Sequence, residues 1–221
     1  MGRMPVYAVS TETVRQLDRT PLIRDMPKRM ERAERFRFER DRLLCVGGGF
    51  LMRQVVGIRD ESELRRGRYG KPYAPGYPPF SLSHSGDWCI LSTWETEVGV
   101  DIEPIDEKNL TVAPMVCTPG ELAWMSKDPP ERFYLLWTWK ESLIKAGGMS
   151  LEPRSFDVLP FTEGRPLRLN GRLWYGASDS MAGYRFSACA ALPMDGLAWV
   201  ELGPDDFIRS LDHCPPNTFL N

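Results

Sequence analysis

The first hydrophobic run, Val6 to Val9, predicts a short opening strand. From Pro27 to about Val56 the pattern turns helical: Pro27 suits a first turn, and charges alternate in sign along Lys28 to Arg42. Leu43, Leu44, Phe50, Leu51 and Val55 supply the apolar positions of that stretch. Gly47-Gly48-Gly49 interrupts them, and each glycine in a helix interior costs about 1 kcal/mol relative to alanine. Either the helix breaks there or another element approaches its backbone closely. A phosphate-binding loop would need a following Lys-Ser/Thr, which is absent.

Residues 65–79, rich in Gly, Pro and Tyr, read as a loop. Strands follow at Phe80 to Leu82 and Trp88 to Trp94, separated by a polar turn containing Ser85-Gly86-Asp87, and then at Val98 to Ile105. Helices are predicted over Pro119 to Met125 and Glu131 to Ala146, the second opened by Pro129-Pro130. Strand-like pieces come next at Ser155 to Leu159, Leu167 to Tyr175, Tyr184 to Ala191 and Leu197 to Leu202. A short helix from Pro204 to Leu211 and a loose tail from His213 to Asn221 complete the reading. The fold class is α+β in two subdomains, residues 1–97 and 98–221, with the break near Glu95 to Glu97.

Composition narrows the function classes only modestly. With 42% hydrophobic and 26% charged residues the chain has the balance of a soluble globular protein. A net charge of −2 gives no global basic surface for nucleic acid, so anion binding must come from a local cluster of cations. No apolar run reaches the roughly 20 residues of a membrane span, and Met1 to Ser10 lacks the pattern of a secretion signal. Cys45, Cys89, Cys117, Cys189 and Cys214 follow no metal or disulfide spacing and read as reduced thiols, so the cytoplasm is the expected location.

Candidate chemistry concentrates in three places. In Gly99-Val100-Asp101-Ile102-Glu103 the period of two puts Asp101 and Glu103 on one face and turns Val100 and Ile102 to the core. Such a pair is either a solvated strand face or two carboxylates that repel until a cation sits between them. Trp137, Glu141 and Lys145 are four apart, hence in one row on a helix, beside an apolar stripe of Leu136, Trp139, Leu143 and Ala146. That row is either an exposed Glu-Lys pair or a third carboxylate with a lysine at the same site. Three acids without Cys/His spacing suit Mg²⁺ rather than zinc. Finally, Gly70-Lys71-Pro72 and Phe80-Ser81-Leu82-Ser83-His84-Ser85 bracket a loop with a lysine, a histidine and serines. His84 is either a structural hydrogen-bonder or a phosphate donor.

In this order the three blocks, ending in Trp137-x-x-Lys140-Glu141-Ser142-x-x-Lys145, resemble the signature of the Sfp-type 4′-phosphopantetheinyl transferases. The motifs span residues 70 to 145, with weaker similarity from Arg29 to Arg35 and out to Ala190-Ala191. The resemblance implies two similar α+β halves related by a pseudo-twofold axis, with coenzyme A in the cleft between them and a monomer as the expected state. It implies transfer of 4′-phosphopantetheine from coenzyme A to a serine of an apo acyl or peptidyl carrier protein, releasing adenosine 3′,5′-bisphosphate. Asp101, Glu103 and Glu141 would bind Mg²⁺, and Lys145 the phosphates. His84, Arg29 and Arg32 would hold the 3′-phosphate, with Lys28 as an alternative to the arginines, Ser83 close by, and Gly70 and Lys71 along the nucleotide. Glu141 is the candidate base, with a water on the metal or Asp101 as alternatives. Carrier docking falls between Ile105 and Trp124. The competing readings are another Mg²⁺-dependent nucleotide hydrolase or transferase, and a coenzyme A or carrier-protein binding module without transferase activity; intact Asp101, Glu103, Glu141 and Lys145 count against the silent module.

Overall fold

The computed structural model of the protein describes residues 2–208. The chain opens with strand β1 (Met4–Ser10), followed by helices α1 (Thr11–Gln16), α2 (Thr20–Asp25), α3 (Pro27–Glu34) and α4 (Glu39–Leu51). After one π-helical turn at Met52–Val56 come β2 (Arg65–Arg66) and β3 (Pro72–Tyr73), then β4 (Phe80–Ser85), β5 (Trp88–Thr93) and β6 (Val98–Pro104). Helices α5 (Ala113–Val116), α6 (Pro119–Met125), α7 (Pro129–Gly147) and α8 (Leu159–Thr162) precede β7 (Leu167–Leu169), β8 (Arg172–Met181), β9 (Tyr184–Ala190) and β10 (Leu197–Glu201), and α9 (Pro204–Ile208) follows. The fold is α+β. The anticipated helix to Leu211 is described only as far as Ile208, and the expected loose tail and Cys214 lie outside the described residues.

Two four-stranded sheets, ordered β10-β1-β5-β4 and β6-β9-β8-β7, carry the architecture. They pack through a core of Met4, Val6, Ala8, Ile90, Val98, Val100, Ile102 and Phe186, all 0–1% exposed. Helices α1 to α4 cover the other face of the first sheet with a second core, and α5 to α8 cover the second sheet with a third. Residue 97 lies in the connection between β5 and β6, and β10 returns to pair in parallel with β1, so the first sheet draws on both ends of the chain. Among the described residues no helix is long and apolar enough to cross a membrane, and Cys45, Cys89, Cys117 and Cys189 are free and buried.

Several local expectations change. The helical stretch from Pro27 divides between Glu34 and Glu39, while the glycine run stays inside α4. A Cβ on Gly48 would lie 2.8 Å from Leu82, and one on Gly49 2.8 Å from both Leu22 and the Arg29 side chain. Close approach, not a break, therefore explains the glycines. Residues 65–79 contain the small β2–β3 hairpin rather than loop alone. Leu167 to Tyr175 is two strands, because Asn170-Gly171 adopts positive φ and reverses the chain.

The strand expected at Ser155 to Leu159 does not form. A 3₁₀ turn at Pro153–Ser155 and α8 take its place. Asp157 Oδ1 accepts from Leu159 N at 2.7 Å, a local bond that competes with a ladder. The carbonyls of Pro153 and Phe156 are drawn to Lys140 Nζ, at 2.7 and 2.5 Å. Lys140 also pairs with Glu121 at 2.9 Å, both side chains fully buried, and Glu121 accepts from Thr118 N and Val158 N. This network fixes α6, α7 and the 153–158 turn together. Removing one partner of such a pair strands the other charge in the core, at a cost of about 3–5 kcal/mol. Lys140→Met is accordingly expected to lower the free energy of urea unfolding by about that amount.

One contact sets α7 on the second sheet. A Cβ on Gly99 would lie 1.8 Å from Ser142 O and 2.4 Å from Ala146 N, both backbone atoms of α7. No side chain can yield there, so only glycine lets β6 and α7 approach this closely. Gly99→Ala is expected to destabilise by at least about 2 kcal/mol in denaturant titrations. Gly120→Ala, on the exposed side of α6 with nothing nearer than 3.6 Å, is the control and should be neutral or stabilising by up to about 1 kcal/mol.

Candidate active site

β4 and β6 are edge strands of the two sheets, and they abut along a polar seam. Three serines at a period of two, Ser81, Ser83 and Ser85, face β6. Ser81 Oγ accepts from Val100 N at 3.1 Å, Ser83 Oγ donates to Asp101 Oδ1 at 2.8 Å, and Ser85 Oγ donates to Glu103 Oε2 at 2.6 Å. The serines thus occupy the free edge of β6 and orient the two acids that the Gly99 contact presents toward α7.

At this seam a cavity of about 840 Å³ opens. Arg29, Arg32, Ser83, His84, Asp101, Glu103, Glu141 and Lys145 all line it, so eight of the residues singled out from sequence share one cavity. Trp137, first of the helical row, lines it too, while Leu136, Trp139, Leu143 and Ala146 are buried beneath. Gly70 and Lys71 line instead an adjoining hollow of about 230 Å³, shared with Lys145 and Leu82. Lys71 Nζ is turned to main chain, donating to Val98 O at 2.6 Å and Ala146 O at 3.5 Å. Arg65 and Arg66 from β2 and Lys28 from α3 add cations to the main cavity. The adjacent Arg65-Arg66 pair was the available sequence signal for two of them.

The cavity has a cationic and an anionic wall. Arg29 crosses the glycine face of α4, 9% exposed, and its Nη1 donates to Cys45 O at 2.9 Å. Glu61 Oε2 accepts from Lys28 N and Arg29 N at 2.8 and 3.2 Å, closing the start of α3. Burial pushes His84 below its ordinary pKa, and Lys145, Arg29 and Arg32 push it further. Opposite stand the carboxylates. Asp101 is 3% exposed; its Oδ1 accepts from Lys145 Nζ at 2.6 Å, while its buried Oδ2 has no hydrogen-bond partner. Burial raises the pKa of Glu103, as does the charge of Asp101, against hydrogen bonds from Ser85 and Trp137. Burial and Asp101 raise Glu141 in the same way, with Lys145 opposing.

An oxygen-only donor set with one orphaned buried oxygen fits a hard divalent cation such as Mg²⁺. Among the described residues no three His, Cys, Asp or Glu groups close a cage by themselves.

Residues 97–189 match the model of the 4′-phosphopantetheinyl transferase superfamily. The chain is 32% identical over 184 residues to the 4′-phosphopantetheinyl transferase Sfp of Bacillus subtilis (strain 168), covering 76% of this chain and 82% of that protein. This chain belongs to the Sfp-type 4′-phosphopantetheinyl transferase family. Similarity extends to the L-aminoadipate-semialdehyde dehydrogenase-phosphopantetheinyl transferase of Xenopus laevis, 32% identical over 165 residues, 62% of this chain and 55% of that protein. The 4′-phosphopantetheinyl transferase AcpT of Salmonella typhi is 41% identical over 97 residues, 40% of this chain and 50% of that protein. The family model begins at the turn into β6 and ends in β9, so it covers the acidic wall and α7. The cationic wall of α3 and β4 lies outside that match.

The raised carboxyls have a consequence for stability. A carboxyl with a raised folded pKa binds its proton more tightly folded than unfolded, so it favours the folded state at low pH and loses that advantage as pH rises through the folded value. Glu141→Gln stays neutral throughout. In chelator, it is expected to raise the thermal midpoint at about pH 7 relative to wild type. The gain should vanish as pH falls below Glu141's ordinary value of 4.5, which calorimetry across pH would show.

Proposed function

We propose that this chain transfers the 4′-phosphopantetheine group of coenzyme A to a serine hydroxyl of an apo acyl or peptidyl carrier protein, releasing adenosine 3′,5′-bisphosphate. The observation that carries the reading, beyond family membership, is the two-walled cavity. It sets Arg29, Arg32 and His84 against Asp101, Glu103 and Glu141, with Lys145 paired to Asp101. Coenzyme A is polyanionic at two separated places, its 3′-phosphate and its pyrophosphate. Arg32, His84 and Lys28 suit the first, where a bound phosphate would offset the cations that depress His84. Arg29 adds a fixed charge from below.

The acidic wall would be held apart from the pyrophosphate by repulsion without a cation. Asp101, Glu103 and Glu141 are the residues that would hold Mg²⁺, which when bound supplies charge neutralisation on the pyrophosphate oxygens. Lys145 Nζ, on the same helix face as Glu141, binds the phosphates and stabilises charge developing on the leaving oxygen. A new bond forms between the carrier serine Oγ and the phosphorus nearer the pantetheine. The bond from that phosphorus to the bridging oxygen breaks, and its electron pair leaves with the bisphosphate.

The serine proton needs an acceptor. Glu141 takes that role: its carboxylate lines the cavity beside Lys145 and receives no hydrogen bond among the described residues. Glu103 is engaged by Ser85, and Asp101 by Ser83 and Lys145. Carrier docking is assigned to the segment around Val112 and Met115, exposed apolar groups 39% and 73% accessible. The reading places a monomer in the cytoplasm, in keeping with its free, buried thiols.

Incubation of the protein with coenzyme A, Mg²⁺ and an apo carrier protein is expected to add the phosphopantetheine mass to the carrier, read by intact-mass spectrometry. No added mass across a panel of fatty acid, polyketide and peptide carriers would overturn the reading. Glu141→Gln is expected to lower transfer by a factor on the order of 10²–10⁴ while coenzyme A binding, measured by calorimetry, persists.

A further inference from the structure

The Lys71 side chain, a charged group of the signature motifs, has main chain of two elements, β6 and α7, as its hydrogen-bond partners. Lys71 leads into β3, in the hairpin beside the smaller hollow, and its Nζ donates to Val98 O at 2.6 Å and reaches Ala146 O at 3.5 Å. Val98 is the residue before Gly99, and Ala146 supplies the backbone nitrogen that a Cβ on Gly99 would strike. The ammonium therefore sits at the point where β6 and α7 touch. From that point Asp101 hangs two residues along β6, and Lys145 one residue back along α7.

A positive group at Ala146 O also meets a carbonyl of the last turn of α7, where the helix carries its partial negative charge. Burial pushes the Lys71 ammonium down to about 8, with Glu97 opposing, so the group is held in place against a real desolvation cost. Glu97 is itself paired with Arg172 at 2.6 Å, which leaves the two carbonyls as the hydrogen-bond partners that hold the ammonium.

We propose that Lys71 is a positioning residue: through its side chain it clamps the β2–β3 hairpin to the crossing of β6 and α7, and so sets Lys145 against Asp101, rather than contacting the nucleotide. The inference rests on the transferase reading for its kinetic consequence and on geometry alone for its structural one. Misplacement of about 1 Å in a phosphoryl-transfer site costs on the order of tenfold to a hundredfold in rate, whereas a lost ligand contact appears first in binding.

Lys71→Met keeps the stem and removes the donor. It is expected to reduce kcat for carrier modification by about tenfold or more, with KM for coenzyme A within about twofold of wild type. Lys71→Arg, which can still donate to both carbonyls, is expected to recover kcat to within about threefold and serves if the methionine variant does not fold. A rise in KM with kcat unchanged, in either variant, would overturn the proposal in favour of direct nucleotide contact. A lowered thermal midpoint with both constants unchanged would overturn it in favour of a purely structural tie. Hydrogen exchange supplies a readout independent of activity: the amides of residues 99–101 and 145–148 should exchange faster in the folded variant, those of the first sheet unchanged. Wild-type protein that transfers nothing sinks the function, and the exchange result then decides the clamp. Active wild type with an indistinguishable Lys71→Met sinks the clamp alone.

Discussion

Everything at the candidate site depends on how closely one strand and one helix can approach. Gly99 lets β6 lie against the backbone of α7 at Ser142 and Ala146. The next positions on the same face of the strand, Asp101 and Glu103, then stand beside the row of α7 that carries Trp137, Glu141 and Lys145. A methyl group at residue 99 would push the helix off the sheet and separate the carboxylates from the lysine. The serines of β4 complete the arrangement from the other sheet, because each accepts from or donates to β6 at a successive position.

The two walls of the cavity are built by different means. On the anionic wall, side chains hydrogen-bond across the seam to Asp101 and Glu103, so these two acids are oriented before any ligand arrives. The cationic wall relies on backbone: Arg29 is threaded over glycines of α4 and fixed to Cys45 O, and Glu61 secures the start of α3. Glu103 and Glu141, raised in pKa by burial and by the charge of Asp101, and His84, lowered by burial and by the neighbouring cations, are both strained arrangements in isolation. A ligand that brings anions to one wall and metal-bridged oxygens to the other relieves both, which is the physical content of complementarity here.

What the sequence made legible was sidedness. A period of two placed Asp101 with Glu103 and turned Val100 and Ile102 inward; a spacing of four placed Glu141 with Lys145 above a buried apolar stripe. Those relations follow from local geometry alone. Destinations of long side chains were not legible, because they are set by residues far along the chain. Lys140 sits beside Glu141 yet is fully buried against Glu121, and Lys71 turns to carbonyls 27 and 75 residues away. The short helices α1 and α2 were likewise missed: two turns or less have weak periodicity, and packing of Val14 and Leu22 against the glycines of α4 stabilises them. The lost strand at 155–159 has the same origin, a buried ammonium claiming carbonyls that a ladder would have used.

The return of β10 to the first sheet bears on the order in which the molecule can assemble during synthesis. β1 emerges early, but its parallel partner at Leu197–Glu201 emerges only after β6 to β9 have been made. Until then one edge of β1 is open, with Met4, Val6 and Ala8 lacking the neighbour that seals them. Such long-range pairing is slow, and nascent chains with open strand edges are prone to mispair. The sheet that supplies the serine seam therefore closes at its far edge only after β10 has been made.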